Sequence, residues 1–394
     1  MIFSGSHSVE KAAKLFLDLR TKYGKIMRQR IGSEHYVFLF DPEDFEHVFK
    51  AEGPYPYREA LHIVTTYCGR NNRPIGMNGL NGEEWSKLRK PTQDKMLRPQ
   101  VVTKYLPVIN QVTHDLVTYI ESKGEIQDIN KLMLDFALEN AGILAFNKRL
   151  GLLDTDDKSS TLKEDFGVFF RLLSEHFFLP PLYKYFRTPF YNTFEKAANG
   201  IYNRFDKELE AVKSEMESSA LKKDESITEM QCKSNTLHEY YSTSRPPDFA
   251  KELLADERLT EDYVRGVLLD IFIAGGDTTY VVMGFNQVCR DPEIYSNPDT
   301  FFPERWQRGS DVRVRSPFAL LPFGFGTRSC LGQRFAEQEI YVCFAQIIKK
   351  FEISLPSDAE EIKYVHKLFA YPEKPVTICF KTRREICSNR YVYN

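Results

Sequence analysis

The chain has 394 residues, a net charge of −2 and 13% aromatic side chains, with 30 Phe and 21 Tyr. That length and apolar content build a sizeable folded core and exclude a disordered chain, and the near-neutral balance gives no electrostatic argument for nucleic-acid binding. Seven cysteines, at 68, 232, 289, 330, 343, 379 and 387, are scattered and odd in number, which argues against a disulfide framework and for a reducing compartment.

The first seven residues contain neither a membrane-spanning apolar run nor a signal-peptide core, and Val9 to Arg20 reads as an amphipathic helix, so a folded domain is expected from there. A short strand follows at Tyr36–Phe40, and Asp41-Pro42 supplies a cap and first turn for the next helix. Helical patterns cover Glu84–Met96, Val101–Ser122 and Ile129–Leu150. Two long helices fill 165–215, separated by the aromatic, proline-broken stretch 177–190. Residues 214–247 are polar and read as an exposed connection. Thr260 caps a helix that continues through the apolar run Val267–Ala274. Proline turns, a glycine-rich loop, a helix from Cys330 to Phe351 and a strand pair near 376–381 complete a single, mainly α domain with a minor β part.

Three segments carry chemistry. The run Phe323-Gly-Phe-Gly-Thr-Arg-Ser-Cys-Leu-Gly332 holds one cysteine in a loop of small residues. One cysteine is the wrong count for structural zinc and the right count for a single axial thiolate to haem iron. Arg328 places a fixed cation where a propionate would sit; taken alone, Cys330 would equally serve as a small buried hydrophobe. The second segment, Ala274-Gly-Gly-Asp-Thr-Thr279, puts two glycines, an acid and hydroxyls into an apolar helix. Its glycines cost roughly 1 kcal/mol each there, so it reads either as a bend beside a small molecule or as a close helix crossing. In the third, Trp85-Ser-Lys-Leu-Arg89, the indole and guanidinium share a helical face at i and i+4. Together they suit a buried carboxylate, or else a packed Trp with an outward Arg.

Together these segments resemble the cytochrome P450 family from about residue 9 to 383. The resemblance implies a mainly α fold with a minor β lobe, haem b as cofactor, and Cys330 as the axial ligand of its iron. Trp85, Arg89, Ala274, Gly275, Phe323, Gly326, Arg328, Cys330 and Gly332 match cofactor-binding positions, and Asp277 and Thr278 match residues that deliver protons for oxygen activation. The implied reaction inserts one atom of O2 into a small apolar, sterol- or lipid-like substrate. Tyr55-Pro-Tyr-Arg58 and Gly332-Gln-Arg-Phe-Ala-Glu-Gln-Glu339 are similar to the mitochondrial branch. That implies a ferredoxin as electron donor, with Arg334 among its docking residues, and residence on the matrix side of the inner membrane. The stretch 177–190 matches a loop that touches the membrane in the family, and it reads equally as a disordered apolar link between two helices.

The resemblance is interrupted. Pro303-Glu-Arg-Trp306 is similar to the family's P-E-R-F segment, yet no Glu in the chain has an Arg three residues later to form the partner E-x-x-R. Only 51 positions separate Thr279 from Cys330, where the family has a longer block. Val281-Val-Met283 reads as a strand from further downstream. The expectation is a deletion junction near 279–280, with Arg305 left as an uncompensated charge costing on the order of 3–5 kcal/mol if buried. The implied alternatives are an active monooxygenase, an inactive isoform that binds haem or a partner without turnover, and a fragment that holds no haem.

Overall fold

The computed structural model describes residues 12–31, 34–58, 60–96, 98–153, 160–176, 181–223, 246–274, 288–310, 314, 316–366 and 370–383. It begins with helix α1 (Ala12–Tyr23) and an antiparallel pair, β1 (Ile26–Ile31) with β2 (Glu34–Leu39). Leu19, Met27, Phe38 and Phe40 form a small core of their own beneath that pair. Helix α2 (Pro42–Ala51) starts as its sequence predicts: Asp41 accepts a hydrogen bond from the Glu43 amide and Pro42 sits in the first turn. Strand β1 was not legible, because Ile-Met-Arg-Gln-Arg-Ile lacks clean alternation and takes its conformation from the partner strand.

The main core is helical. It is built by α3 (His62–Arg70), α4 (Gly82–Met96), α5 (Pro99–Thr103), α6 (Leu106–Lys123), α7 (Ile129–Phe146), α8 (Ser160–Glu175), α9 (Pro189–Lys223), α10 (Phe249–Leu254), α11 (Glu261–Ala274) and α12 (Gln333–Lys350). Phe272 of α11 lies edge-on to Phe146 and Phe166, at centroid distances of 5.7 and 5.3 Å. Phe146 in turn meets Phe205 of α9 at 5.2 Å. This ring cluster ties α7, α8, α9 and α11 into one packed unit. Strands β3 (Glu125–Ile126), β7 (Ile378–Thr382) and β4 (Phe351–Ser354) form an antiparallel sheet in that order, and β5 (Tyr364–His366) pairs with β6 (Ala370–Pro372).

Several boundaries differ from the sequence reading. The helix expected over 101–122 is two helices, because Pro107 in the first turn of α6 has no amide to continue the one before it. Helix α7 stops at Phe146, where Asn147 turns left-handed at φ 52°. Helix α9 continues through 214–223, which had been read as loop; its run of Glu, Lys, Ala and Met favours helix on propensity alone. The expected strand at Val281–Met283 lies outside the described residues. Thr260 does cap α11, its hydroxyl accepting from the Tyr263 amide at 3.3 Å.

Arg305 corrects another expectation. It is buried, but Nε donates to the Phe302 carbonyl at 2.9 Å, and Nη2 to the Asn297 and Thr300 carbonyls, each at 3.1 Å. Its guanidinium also lies over the rings of Tyr295 and Phe302. No carboxylate pairs with it among the described residues, yet its charge is solvated by backbone oxygens rather than left bare.

After α7 the chain folds back on a fully buried carboxylate. Glu139 accepts from the amides of Leu150, Gly151 and Leu152 at 3.1, 3.3 and 2.9 Å, and pairs with Arg149. Truncation leaves these donors without a partner. Glu139→Ala is expected to lower unfolding stability by about 3 kcal/mol, read as a lower urea midpoint at unchanged slope.

Candidate functional site

The segment from Phe323 to Gly332 is a tight loop delivered by a short turn (Pro317–Ala319) and closed by α12. The Cys330 amide donates to the Phe323 carbonyl at 2.8 Å. Gly324 and Gly326 adopt φ of 69° and 73°, a region that a Cβ makes costly. At Gly326 a Cβ would also fall 3.2 Å from Glu52 Oε2. Phe325 packs on Phe318 and on Phe49 of α2, at 4.9 and 5.6 Å, which fixes the loop against the N-terminal part of the chain. Gly332 stands before α12, with Met96 Cε 3.7 Å from where a Cβ would be.

Trp85 and Arg89, one turn apart on α4, are both buried, which decides against an outward Arg. Arg89 Nη2 donates to the Ser329 carbonyl at 2.7 Å. The Arg328 guanidinium stacks 4.3 Å from the centre of the Trp85 ring. Its Nε donates to the Pro56 carbonyl at 3.0 Å, and Nη2 to the Leu80 carbonyl and Asn81 Oδ1, each at 2.8 Å. Asn81 also bonds the Arg58 backbone on both sides, accepting from its amide and donating to its carbonyl, both at 2.8 Å. The structure thus gathers Arg58, Arg89 and Arg328 around Cys330. Arg58 and Asn81 were not singled out as site residues from sequence. Tyr55-Pro-Tyr-Arg58 carried only a branch likeness, and nothing in an Asn-Gly turn announces a bridge to residue 328.

The charges explain what this arrangement suits. Burial first, then the neighbouring Arg58 and Arg89 cations, push the Arg328 guanidinium down to about 10. Burial likewise depresses Arg58 and Arg89, partly offset by the proximity of Cys330. Glu52 is the carboxylate that faces Arg58 and Arg328. Among the described residues three cations share this largely buried pocket with one acid, Glu52, a setting that favours an anionic group. Burial pushes the Cys330 thiol up, while the Gly332 and Gln333 amides at the start of α12 and the Arg89 and Arg58 cations pull it down. Those groups would stabilise a thiolate once a metal replaces its proton.

On the other side, α11 meets the turn before α4. Asp270 Oδ2 accepts from the Asn78 amide at 2.9 Å. One helical turn earlier, a Cβ on Gly266 would lie 3.1 Å from Gly76 Cα, so two glycines let the backbones touch. This contact positions the turn Met77–Gly79, and with it Asn81. Asp270 gave no sequence signal beyond an acid in an apolar helix. Ala274 is the last residue of α11, whereas Gly275, Asp277 and Thr278 lie outside the described residues.

Burial pushes the Asp270 carboxyl from 3.8 up to about 7, against the pull of the Asn78 and Met77 amides. Between those values the folded chain holds a proton that the unfolded chain releases, so this group's contribution to stability falls as pH rises from about 4 to about 7 and is level above. Asp270→Asn is expected to flatten that part of the stability–pH profile, measured by urea unfolding at a series of pH values.

The family model "Cytochrome P450" matches residues 3–286 and 279–380. The chain is 25% identical to the mitochondrial cholesterol side-chain cleavage enzyme of Oncorhynchus mykiss over 431 aligned positions, covering 91% of this chain and 83% of that protein. It is 25% identical to the mitochondrial sterol 26-hydroxylase of Homo sapiens over 449 positions, covering 93% and 83%. It is 26% identical to the probable cytochrome P450 CYP44 of Caenorhabditis elegans over 441 positions, covering 96% and 89%. A solved structure, retinoic acid bound cyanobacterial CYP120A1, superposes with a TM-score of 0.68 at 15% identity, covering 93% of this chain and 94% of that one, which shows the same fold. With its helical core, its cysteine loop and a family model matched across most of its length, the chain belongs to the cytochrome P450 family.

Proposed function

We propose that this chain is a haem-thiolate monooxygenase that inserts one atom of O2 into an apolar, sterol- or lipid-like substrate, with electrons from a ferredoxin. The observation that carries the reading is the gathering of Arg58, Arg89 and Arg328 around Cys330 with one opposing carboxylate. The donor set fits haem. Its two propionates would answer the excess of cations over carboxylates there, and Cys330, beneath the N-terminal amides of α12, would take the iron. Haem held by a cysteine thiolate supplies the oxygen activation. The protein's own part is to keep that thiolate deprotonated and the propionates paired. Trp85 carries Arg328 on its ring face, and Asn81 locks Arg328 to the Arg58 backbone, so two of the cations are set before any ligand arrives. Asp277 and Thr278 would hold and pass protons on the distal side. The similarity to mitochondrial sterol-acting relatives supports the substrate class, the ferredoxin and a mitochondrial location. No described helix is long and apolar enough to cross a membrane. Exposed Leu182, Tyr185 and Phe186, in the turn before α9, support a peripheral membrane contact there; residues 177–180 of that stretch lie outside the described set.

A second reading has its own observations. The family match divides at 279–286, and the alignments to relatives run longer than the chain itself. Both support a missing internal block near 279–280. The absence of E-x-x-R and the bonding of Arg305 to carbonyls alone fit that loss. On this reading the chain binds haem or a partner and does not turn over.

The carbon-monoxide difference spectrum of the reduced chain tests the haem site. A strongly red-shifted Soret band that Cys330→Ala abolishes supports it, and no such band overturns it. Turnover of a sterol with ferredoxin and its reductase then decides between the two readings. The charge argument makes a separate prediction: haem should bind at least tenfold tighter than its dimethyl ester, which lacks the propionate charges. Replacing Arg58 and Arg89 together by Gln should erase most of that difference, read by absorbance titration.

A further inference from the structure

Glu52, which faces Arg58 and Arg328, stands where its own helix disfavours it. It is the C-terminal cap of α2, its amide donating to the Val48 carbonyl at 3.1 Å. A carboxylate at that end meets the negative pole of the helix dipole. Lys50, the basic residue of the last turn, is taken by Glu46 at 2.5 Å. The half-buried acid therefore draws its compensation from outside α2.

The cysteine loop is where that compensation lies. Phe49, one turn before Glu52, packs on Phe318 and Phe325 at 6.2 and 5.6 Å, which brings the end of α2 onto the loop. Gly326 then leaves room for the acid. A Cβ there would lie 3.2 Å from Glu52 Oε2, so a carboxylate oxygen rests where another residue would carry its side chain. Arg328 spends its hydrogen bonds on the Pro56 and Leu80 carbonyls and on Asn81, so Glu52 meets it as a charge rather than as an anchor. The distinction matters. An anchoring carboxylate would serve the fold and every ligand alike. A carboxylate acting as charge offsets the repulsion among guanidinium groups while the site is empty, and repels a second acid that enters.

We propose that Glu52 is a built-in counter-charge, which steadies the cations beside Cys330 in the empty chain and weakens the hold of the same cations on an anionic cofactor. Glu52 is a positioning residue: it acts through Arg58 and Arg328. The first half of the proposal concerns the chain alone, and the second half rests on the haem reading above.

The test sets Glu52→Gln against the unaltered full chain in two measurements. Urea unfolding without haem should show a lower midpoint for Glu52→Gln, and a drop at most about half as large when Arg58 is already replaced by Gln. Absorbance titration should show Glu52→Gln binding haem about fivefold tighter, with the dimethyl ester bound equally by both chains. Added salt should shrink both effects. A purely structural role gives the opposite pair: the same drop in midpoint whether or not Arg58 is present, and weaker binding of both haem forms. Either of those results, or a haem affinity that does not move, overturns the proposal. Should Glu52→Gln alone not fold, the double variant with Arg58→Gln must unfold at nearly the midpoint of Arg58→Gln, and its failure to do so overturns the proposal. Should the unaltered chain take up no haem, the haem reading fails and the urea comparison alone decides: a drop that Arg58→Gln abolishes supports the counter-charge, and one that persists in full overturns it.

Discussion

The site rests on an electrostatic imbalance that the fold holds in place. Among the described residues three guanidinium groups share a largely buried pocket with one carboxylate, and like charges at that range repel. What keeps them together is the backbone. Carbonyls of Pro56, Leu80 and Ser329 and the Asn81 side chain accept from Arg328 and Arg89. The turn that bears Leu80 and Asn81 is in turn held to α11 through Asp270 and the Gly76–Gly266 contact. Helix α11, the turn and the cysteine loop are therefore one mechanical unit. The positive charge is prepaid by folding and awaits an anion, which is how a binding site gains affinity without reorganising.

What was legible in the sequence follows from how local each signal is. The cysteine loop could be read because its constraints are local: glycines at positive φ, a cation and a thiol within ten residues. Trp85 and Arg89 could be paired because helix geometry fixes i and i+4. Helix α11 was readable from its cap and apolar run. Arg58, Asn81 and Asp270 were not, because their roles depend on partners far along the chain, 247 residues away for Asn81 and Arg328 and 192 for Asn78 and Asp270. The same reasoning explains Arg305. The sequence offered Arg305 no E-x-x-R partner, but it did not show that a proline turn would bring three carbonyls to the guanidinium.

Those carbonyls also bear on how much a missing block would cost. A buried cation with no partner would threaten a protein whose whole stability is about 5–15 kcal/mol. A cation bonded to three carbonyls is a much smaller burden, and the local turn at Pro303–Trp306 stays intact around it. The larger burden falls on α12. Its outward stripe of Ile340, Tyr341, Phe344 and Ile348 is apolar and exposed, while on its inner face burial pushes the Glu339 carboxyl up to about 8 and, with Glu339 beside it, the Cys343 thiol to about 12. Packing that is already in place on that inner face disfavours the charged form of both groups.

Helix α12 therefore links the two halves of the argument. Its first amides face the Cys330 sulfur, and three turns later the same helix carries the uncovered stripe. A helix end stabilises a thiolate only while the helix stays put, since the effect falls off within the first turn. Whatever covers Phe344 and Ile348 would stiffen α12 along its length and so hold Gly332 and Gln333 against the sulfur. Covering of that face and retention of the cofactor are then coupled through one rigid element without any contact between the two places. Linkage makes the coupling reciprocal: if covering the face tightens the thiolate site, loading the site must tighten the cover by the same factor.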